Sequence, residues 1–167
     1  MATLVLLLLL SSSATAQPAL ALLEKTLALR YPSAQLKSDS LGTRLATADS
    51  ATLLLFDVRH PDEFAVSYIH GAVRVDPTLT AEEFDRSFAA TVNGKQLVFY
   101  CSVGYRSSML IERVRKHAFD AGAVSVANLR GGIFRWYNEK RPLYNGLGKT
   151  DTVHHNNEFW GKLLKKR

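Results

Sequence analysis

Leu97-Val98-Phe99-Tyr100-Cys101-Ser102-Val103-Gly104-Tyr105-Arg106-Ser107-Ser108 passes from an apolar run into a helical pattern, and the only cysteine of the chain stands at the change. Leu97 to Tyr100 is short, apolar and rich in β-formers, which predicts a buried strand. From Ser107 onward apolar residues recur at helical spacing, with Leu110, Val114 and Ala118 on one face and Gly122 as the stop. Cys101 therefore lies at a strand-to-helix turn. There the backbone N–H groups from Ser102 to Ser107 curl toward the sulfur, and the positive end of the following helix faces it. Together with the cation of Arg106, this favours the thiolate, the reactive form. Gly104 supplies the positive φ that lets such a loop close. A free cysteine is usually a small buried hydrophobe. The polar flank of Ser102, Gly104, Arg106 and Ser107 predicts instead an exposed loop and a working thiol.

The same alternation extends along the chain. Ala19 to Arg30 reads as an amphipathic helix that stops at Tyr31-Pro32. Leu36 begins a short edge strand, and Ser38 or Ser40 caps a helix running through Leu41 and Leu45 to Thr47. Leu53 to Asp57 is a continuous apolar strand of the kind buried on both faces of a parallel sheet. Pro61 opens a short helix, Val73 to Val75 is a strand, and Thr80 with Glu83 forms a capping box. Val124 to Leu129 is the next strand. The predicted class is α/β: a small, mainly parallel twisted sheet with helices on both faces. Ligands of such sheets gather at the carboxyl ends of the strands. Asp57 and Arg59, Cys101, and Arg130-Gly131-Gly132 all fall there. Gly131 and Gly132 are expected to give close backbone approach, with Ile133, Phe134 and Trp136 packing as core.

Composition sets the outer bounds. The formal net charge is +6, and part of it is a basic end at Lys162, Lys165, Lys166 and Arg167. A solvated tail accounts for that charge, and no nucleic-acid partner is expected. Leu4 to Leu10 is an apolar run followed by serines and by Ala14-Thr15-Ala16, the pattern of a signal peptide cleaved before Gln17. The run is too short to span a membrane, so export (periplasmic or secreted) with no remaining span is expected. The expected organisation is a leader at 1–16, a helical extension at 17–33, the main domain at 34–143 and a C-terminal strap at 144–167, anchored by Phe159 and Trp160. With one cysteine, no internal disulfide and no resolving thiol exist, so whatever Cys101 accepts passes to another molecule. His154-His155 lacks further ligands at metal-binding spacing, so no metal is predicted.

Cys101-x-x-Gly104-x-Arg106-Ser107 resembles the active-site loop of rhodanese-type sulfurtransferases, and three further motifs occur in the family's order. These are Leu53 to Phe64 with Asp57-Val58-Arg59, then Ile69-His70-Gly71-Ala72-Val73, then Asn128 to Trp136. The resemblance implies a rhodanese-like fold and a thiosulfate sulfurtransferase type of activity. Sulfane sulfur would pass from a small anionic donor such as thiosulfate to cyanide or a thiol through a persulfide on Cys101, without a cofactor. Ser102, Val103, Gly104, Tyr105, Arg106 and Ser107 would form the cradle and entrance, with Ser107 capping the helix. Asp57 and Arg59 would support neighbouring loops through buried ion pairs. A non-catalytic binding or sulfur-relay module serving a protein partner is the alternative. Cysteine-dependent phosphatases and arsenate reductases of this fold rank below both, because they use five residues between cysteine and arginine where this chain has four. The shorter ring suits one sulfur atom better than a tetrahedral oxyanion. The chain departs from the family at His70, which stands where a proline is common; a surface or loop-bracing role is expected for it ahead of one as acid or base near the site.

Overall fold

A computed structural model describes residues 16–47 and 51–166. The expected leader, apart from Ala16, lies outside these residues. Strands β1 (Ala34–Leu36), β2 (Leu53–Asp57), β3 (Ala72–Arg74), β4 (Gln96–Tyr100) and β5 (Ser125–Leu129) form one sheet in the order β1-β5-β4-β2-β3, every pair parallel. Helices α1 (Ala16–Arg30), α2 (Ser38–Ala46), α3 (Pro61–Val66), α4 (Ala81–Val92), α5 (Tyr105–Asp120) and α6 (Gly132–Asn138) connect or flank these strands. An antiparallel hairpin, β6 (Leu143–Asn145) and β7 (Gly148–Thr150), and a last turn, α7 (Glu158–Gly161), follow. Among the described residues, no helix is long and apolar enough to cross a membrane.

The strands are apolar on both sides because both sides are covered. Leu55, Val98, Tyr100 and Leu129 share one cluster with Leu20 of α1, Leu41 of α2 and Ile133, Phe134 and Trp136 of α6. Phe56, Leu97, Phe99 and Val126 share the other with Phe84 of α4 and Leu110, Ile111, Val114 and Ala118 of α5. Phe56 and Phe99, cross-strand neighbours, stack with centroids 4.8 Å apart. Each such fully buried side chain contributes about 1.5–3 kcal/mol of transfer free energy. This packing puts the ends of β2, β4 and β5 on one edge of the molecule, where Asp57, Cys101 and Arg130 follow.

Local chemistry matches the expected ends in several places. Thr80 Oγ1 accepts the Glu83 N–H at 3.2 Å while Glu83 accepts the Thr80 N–H at 2.8 Å. Gly122, with φ of 91°, follows the end of α5. Three expectations change, the first being that Leu36 closes the edge strand β1 instead of beginning it. Lys37, not a serine, stands at the N-cap of α2, because Ser38 is buried and its hydroxyl donates to Glu139. The strand after the His70 loop is Ala72–Arg74, set by pairing of Ala72 with Leu55.

Helix α1 and the C-terminal segment are tied to the domain by buried polar groups. Glu24 on α1 is 4% exposed and accepts from Arg130 Nε at 2.9 Å and Arg135 Nε at 2.7 Å. It crosses directly over Gly131, where a Cβ would lie 2.2 Å from Glu24 Oε1. In the C-terminal segment, Val153 and Leu163 are buried, whereas Phe159, an expected anchor, is 47% exposed. Asn138 Nδ2 donates to the Leu163 carbonyl at 2.7 Å, and Asn138 Oδ1 accepts the Lys165 N–H at 2.8 Å. The strap is therefore anchored by its backbone and its aliphatic residues, with Trp160 packed at the edge of the core. Glu24→Ala removes two charge-assisted hydrogen bonds from a buried carboxylate. It is expected to lower unfolding free energy by about 2 kcal/mol and to hasten proteolysis within 16–30, as measured by urea titration and limited digestion.

Candidate active site

Cys101 leaves the end of β4 and is 1% exposed, not on an open loop. Its Sγ accepts the Gly104 N–H at 3.2 Å. Gly104 is the N-cap of α5, with φ of 99°, and a Cβ there would meet Asn128 Nδ2 at 3.1 Å. The positive φ of the turn demands glycine, and the close approach leaves little room for a Cβ. The loop is pinned from the far side by α6: the Ile133 N–H donates to the Cys101 carbonyl at 2.9 Å, and the Phe134 N–H to the Ser102 carbonyl at 3.0 Å. Gly132, with φ of 55°, allows this contact, since its Cβ would lie 2.3 Å from the Cys101 oxygen. The paired glycines after β5 thus serve two neighbours, Gly131 the helix α1 and Gly132 the cysteine loop.

Arg106 is locked by a residue that the sequence reading passed over. Glu63, on α3 and 2% exposed, accepts from Arg106 Nη1 at 2.6 Å and Nη2 at 2.7 Å. It also accepts the Ser102 hydroxyl at 2.9 Å and the His60 N–H at 3.1 Å. Burial works to raise the Glu63 pKa, but the Arg106 hydrogen bonds and charge, helped by His60 and Ser102, hold it at about 2. Burial likewise opposes the Arg106 cation; the Glu63 bonds and the charges of Cys101 and Glu63 outweigh it and raise its pKa. The guanidinium therefore closes the ring around the cysteine as a permanent cation in a fixed fork.

The neighbouring residues fall into clear positions. Arg59 Nε donates to Asp57 Oδ1 at 2.8 Å and Nη2 to Oδ2 at 2.6 Å, both side chains fully buried. Burial pushes the Asp57 carboxyl up, against the pull of Arg59. Arg59 Nη2 also donates to the Ser67 carbonyl at 2.5 Å, and the Tyr100 hydroxyl accepts the Ile69 N–H at 3.1 Å. Asp57 and Arg59 thus brace the loop at Ser67, and Tyr100 braces it at Ile69. Ser107 does not cap α5: its hydroxyl donates to Asn128 Oδ1 at 2.7 Å, and Asn128 Nδ2 donates back to the Gly104 carbonyl at 3.2 Å and Ser108 Oγ at 3.0 Å. Ser102 and Val103, expected to line an open entrance, are 4% and 5% exposed. Tyr105 is 47% exposed and meets Tyr31 edge-on, with centroids 6.1 Å apart. His70 is edge-on to Tyr144, with ring centroids 4.8 Å apart.

Glu63 and Asn128 both stood inside recognised motifs. Glu63 reads locally as an acidic residue in a helical first turn, and Asn128 as a polar position in a strand. Their signal was weak but present: a carboxylate and an amide at the carboxyl edge of a parallel sheet, where loops need polar partners.

The profile of the Rhodanese-like domain family matches residues 39–139, and the chain belongs to this family. It is 31% identical over 90 residues to the probable adenylyltransferase/sulfurtransferase MoeZ of Mycobacterium tuberculosis, covering 54% of this chain but only 21% of that protein. A sulfurtransferase of Allochromatium vinosum is 29% identical over 109 residues, covering 65% of this chain and 92% of that one. Among solved structures, thiosulfate sulfurtransferase from Pseudomonas aeruginosa aligns with a TM-score of 0.56 at 17% identity, over 84% of this chain and 26% of that one. This last likeness is one of fold.

Glu63 ionises in the folded protein at about 2 rather than at its ordinary 4.5. Its contribution is complete above pH 4.5 and is lost as pH falls through about 2, because the unfolded chain binds the proton first. Glu63→Gln is expected to lower stability at pH 7 by about 3 kcal/mol and to flatten the loss of stability over that acid window, as read from denaturant midpoints against pH.

Proposed function

We propose that this protein is a sulfurtransferase that carries sulfane sulfur on Cys101. The observation that bears the reading is the four-residue turn itself: Cys101 Sγ receives the Gly104 N–H at 3.2 Å inside a ring closed by an Arg106 that Glu63 holds in place. A ring of this size suits a single sulfur. The backbone N–H and the positive end of α5 stabilise an anionic sulfur before and after transfer.

In the first step the Cys101 thiolate attacks the outer sulfur of thiosulfate. The new S–S bond takes its electrons from the cysteine sulfur, the old S–S bond breaks toward the inner sulfur, and sulfite leaves. In the second, cyanide or a thiolate attacks the outer sulfur of the persulfide, and Cys101 leaves as the thiolate. Arg106 supplies the cation facing both anions. With no second cysteine in the chain, the acceptor is external. The sulfurtransferase names of two sequence relatives support the reaction class, and thiosulfate is the proposed donor. A relay role has one specific support: in the Mycobacterium tuberculosis relative the matched region is 21% of a longer protein, so the unit is compatible with handing sulfur to a partner.

Thiosulfate and cyanide should yield thiocyanate with the wild-type protein, with loss of about a thousandfold or more in Cys101→Ser. Mass spectrometry after thiosulfate treatment should show one added sulfur on the peptide carrying Cys101. A relay would give the added sulfur with little thiocyanate, and the absence of both thiocyanate and the adduct would refute sulfur transfer. We further propose that residues 1–16 direct export. Amino-terminal sequencing of the protein recovered outside the cytoplasm should begin at Gln17, and a start at Ala2 or Met1 would refute it.

A further inference from the structure

Ser102 is the most fully used hydroxyl in the site. Its Oγ donates to Glu63 Oε1 at 2.9 Å and accepts from Arg106 Nη2 at 3.0 Å and from Asn156 Nδ2 at 3.1 Å. A serine hydroxyl has one proton and two lone pairs, so three bonds exhaust it. Two of these partners belong to the domain, but the third arrives from the C-terminal strap, 54 residues along the chain.

The strap is built to deliver that amide. Asn156 has φ of 63°, a left-handed conformation that asparagine tolerates and most side chains do not. Its backbone N–H donates to His154 Nδ1 at 3.1 Å, so that nitrogen carries the lone pair, while Nε2 stands 4.0 Å from Asp62 Oδ2 on α3, next to Glu63. On one side Val153 is buried in the same apolar cluster as Val103 of the cysteine loop. On the other, Leu163 and Lys165 are fastened to Asn138. The segment is thus fixed at both ends and touches the loop at Ser102. It also lies outside the span that matches the family, residues 39–139.

We propose that residues 153–156 are the outer wall of the sulfur site, and that Asn156 is a positioning residue which saturates Ser102 and narrows the approach to Cys101 to compact donors. The inference rests on the sulfur-transfer reading and adds the donor class: small inorganic sulfane anions over bulky organic thiosulfonates. This wall and α6 meet the loop at Ser102 and Val103, both buried, while Cys101 is buried beside them among Phe99, Leu110 and their neighbours. With Asn156 in place Ser102 has no lone pair left for a substrate, so the wall acts by excluding and positioning.

Asn156→Gly is the informative variant, because glycine keeps the left-handed backbone at no steric cost and removes only the amide. Thiosulfate and benzenethiosulfonate, each losing its outer sulfur to Cys101 with release of sulfite or benzenesulfinate, are compared as donors to cyanide. The kcat/KM ratio of the bulky to the small donor should rise about fivefold or more over wild type. In parallel, alkylation of Cys101 by N-ethylmaleimide should accelerate relative to iodoacetamide. His154→Gln, which loses the acceptor at the Nδ1 position, should move both ratios the same way, and His154→Asn, which restores it, should return them. Unchanged ratios in variants that melt with wild type, or an equal fall for both donors, would overturn the wall. Alkylation does not depend on sulfur transfer. A wild type that forms neither thiocyanate nor the added sulfur on Cys101 with thiosulfate, but whose alkylation still responds to Asn156→Gly, would end the sulfur-transfer reading and leave the wall standing.

Discussion

One buried carboxylate joins the parts of this site. Glu63 sits on the short helix after β2, and the cysteine loop follows β4, its neighbour in the sheet; four hydrogen bonds from His60, Ser102 and Arg106 converge on the two Glu63 oxygens. A carboxylate taken out of water at this depth costs several kcal/mol unless its lone pairs are filled, and here they are filled by a guanidinium fork, a hydroxyl and a backbone amide. The same contacts that offset its burial fix the direction of Ser102 and the position of the Arg106 cation. Loop shape and loop charge therefore depend on one side chain.

The rest of the structure supplies the surroundings in which that arrangement holds. The parallel sheet brings the carboxyl ends of β2, β4 and β5 to one edge, and each loop there is pinned by a different polar device. Asp57 and Arg59 hold the Ser67 carbonyl, Asn128 ties the start of α5 to β5, and the first amides of α6 take the Cys101 and Ser102 carbonyls. These groups are buried, so each must be paired, and the pairing rigidifies the site as a consequence. Gly132 allows backbones to approach where any side chain would collide, and Gly104 takes the positive φ that the turn requires.

Much of this was legible in the residues. The alternation of apolar strands and amphipathic helices indicated a parallel α/β sheet, and the turn from Tyr100 into the helix placed Cys101 and Gly104 correctly. Local signals such as the Thr80 and Glu83 box also hold, because such caps are made by residues within one turn of each other. The expectations that changed involve partners distant in the chain. Ser38 gives up capping for Glu139, Ser107 gives up capping for Asn128, and the polar flank of Cys101 is covered instead of exposed. Glu24 reads as the solvated side of an amphipathic helix, yet two arginines more than a hundred residues away make it a buried anchor. No local pattern contains that information.

What the sequence by itself determined was the class of sheet, the turn that carries the single cysteine, the glycine that closes it and the absence of any second thiol. These follow from periodicity, φ preferences and residue count, all of which are local or additive. Tertiary structure alone decided that Glu63 holds Arg106, that α6 holds the loop from beneath, and that the strap brings Asn156 to Ser102. The physical reason is desolvation: a buried polar group must find a partner, and which partner is near enough depends on how distant segments pack.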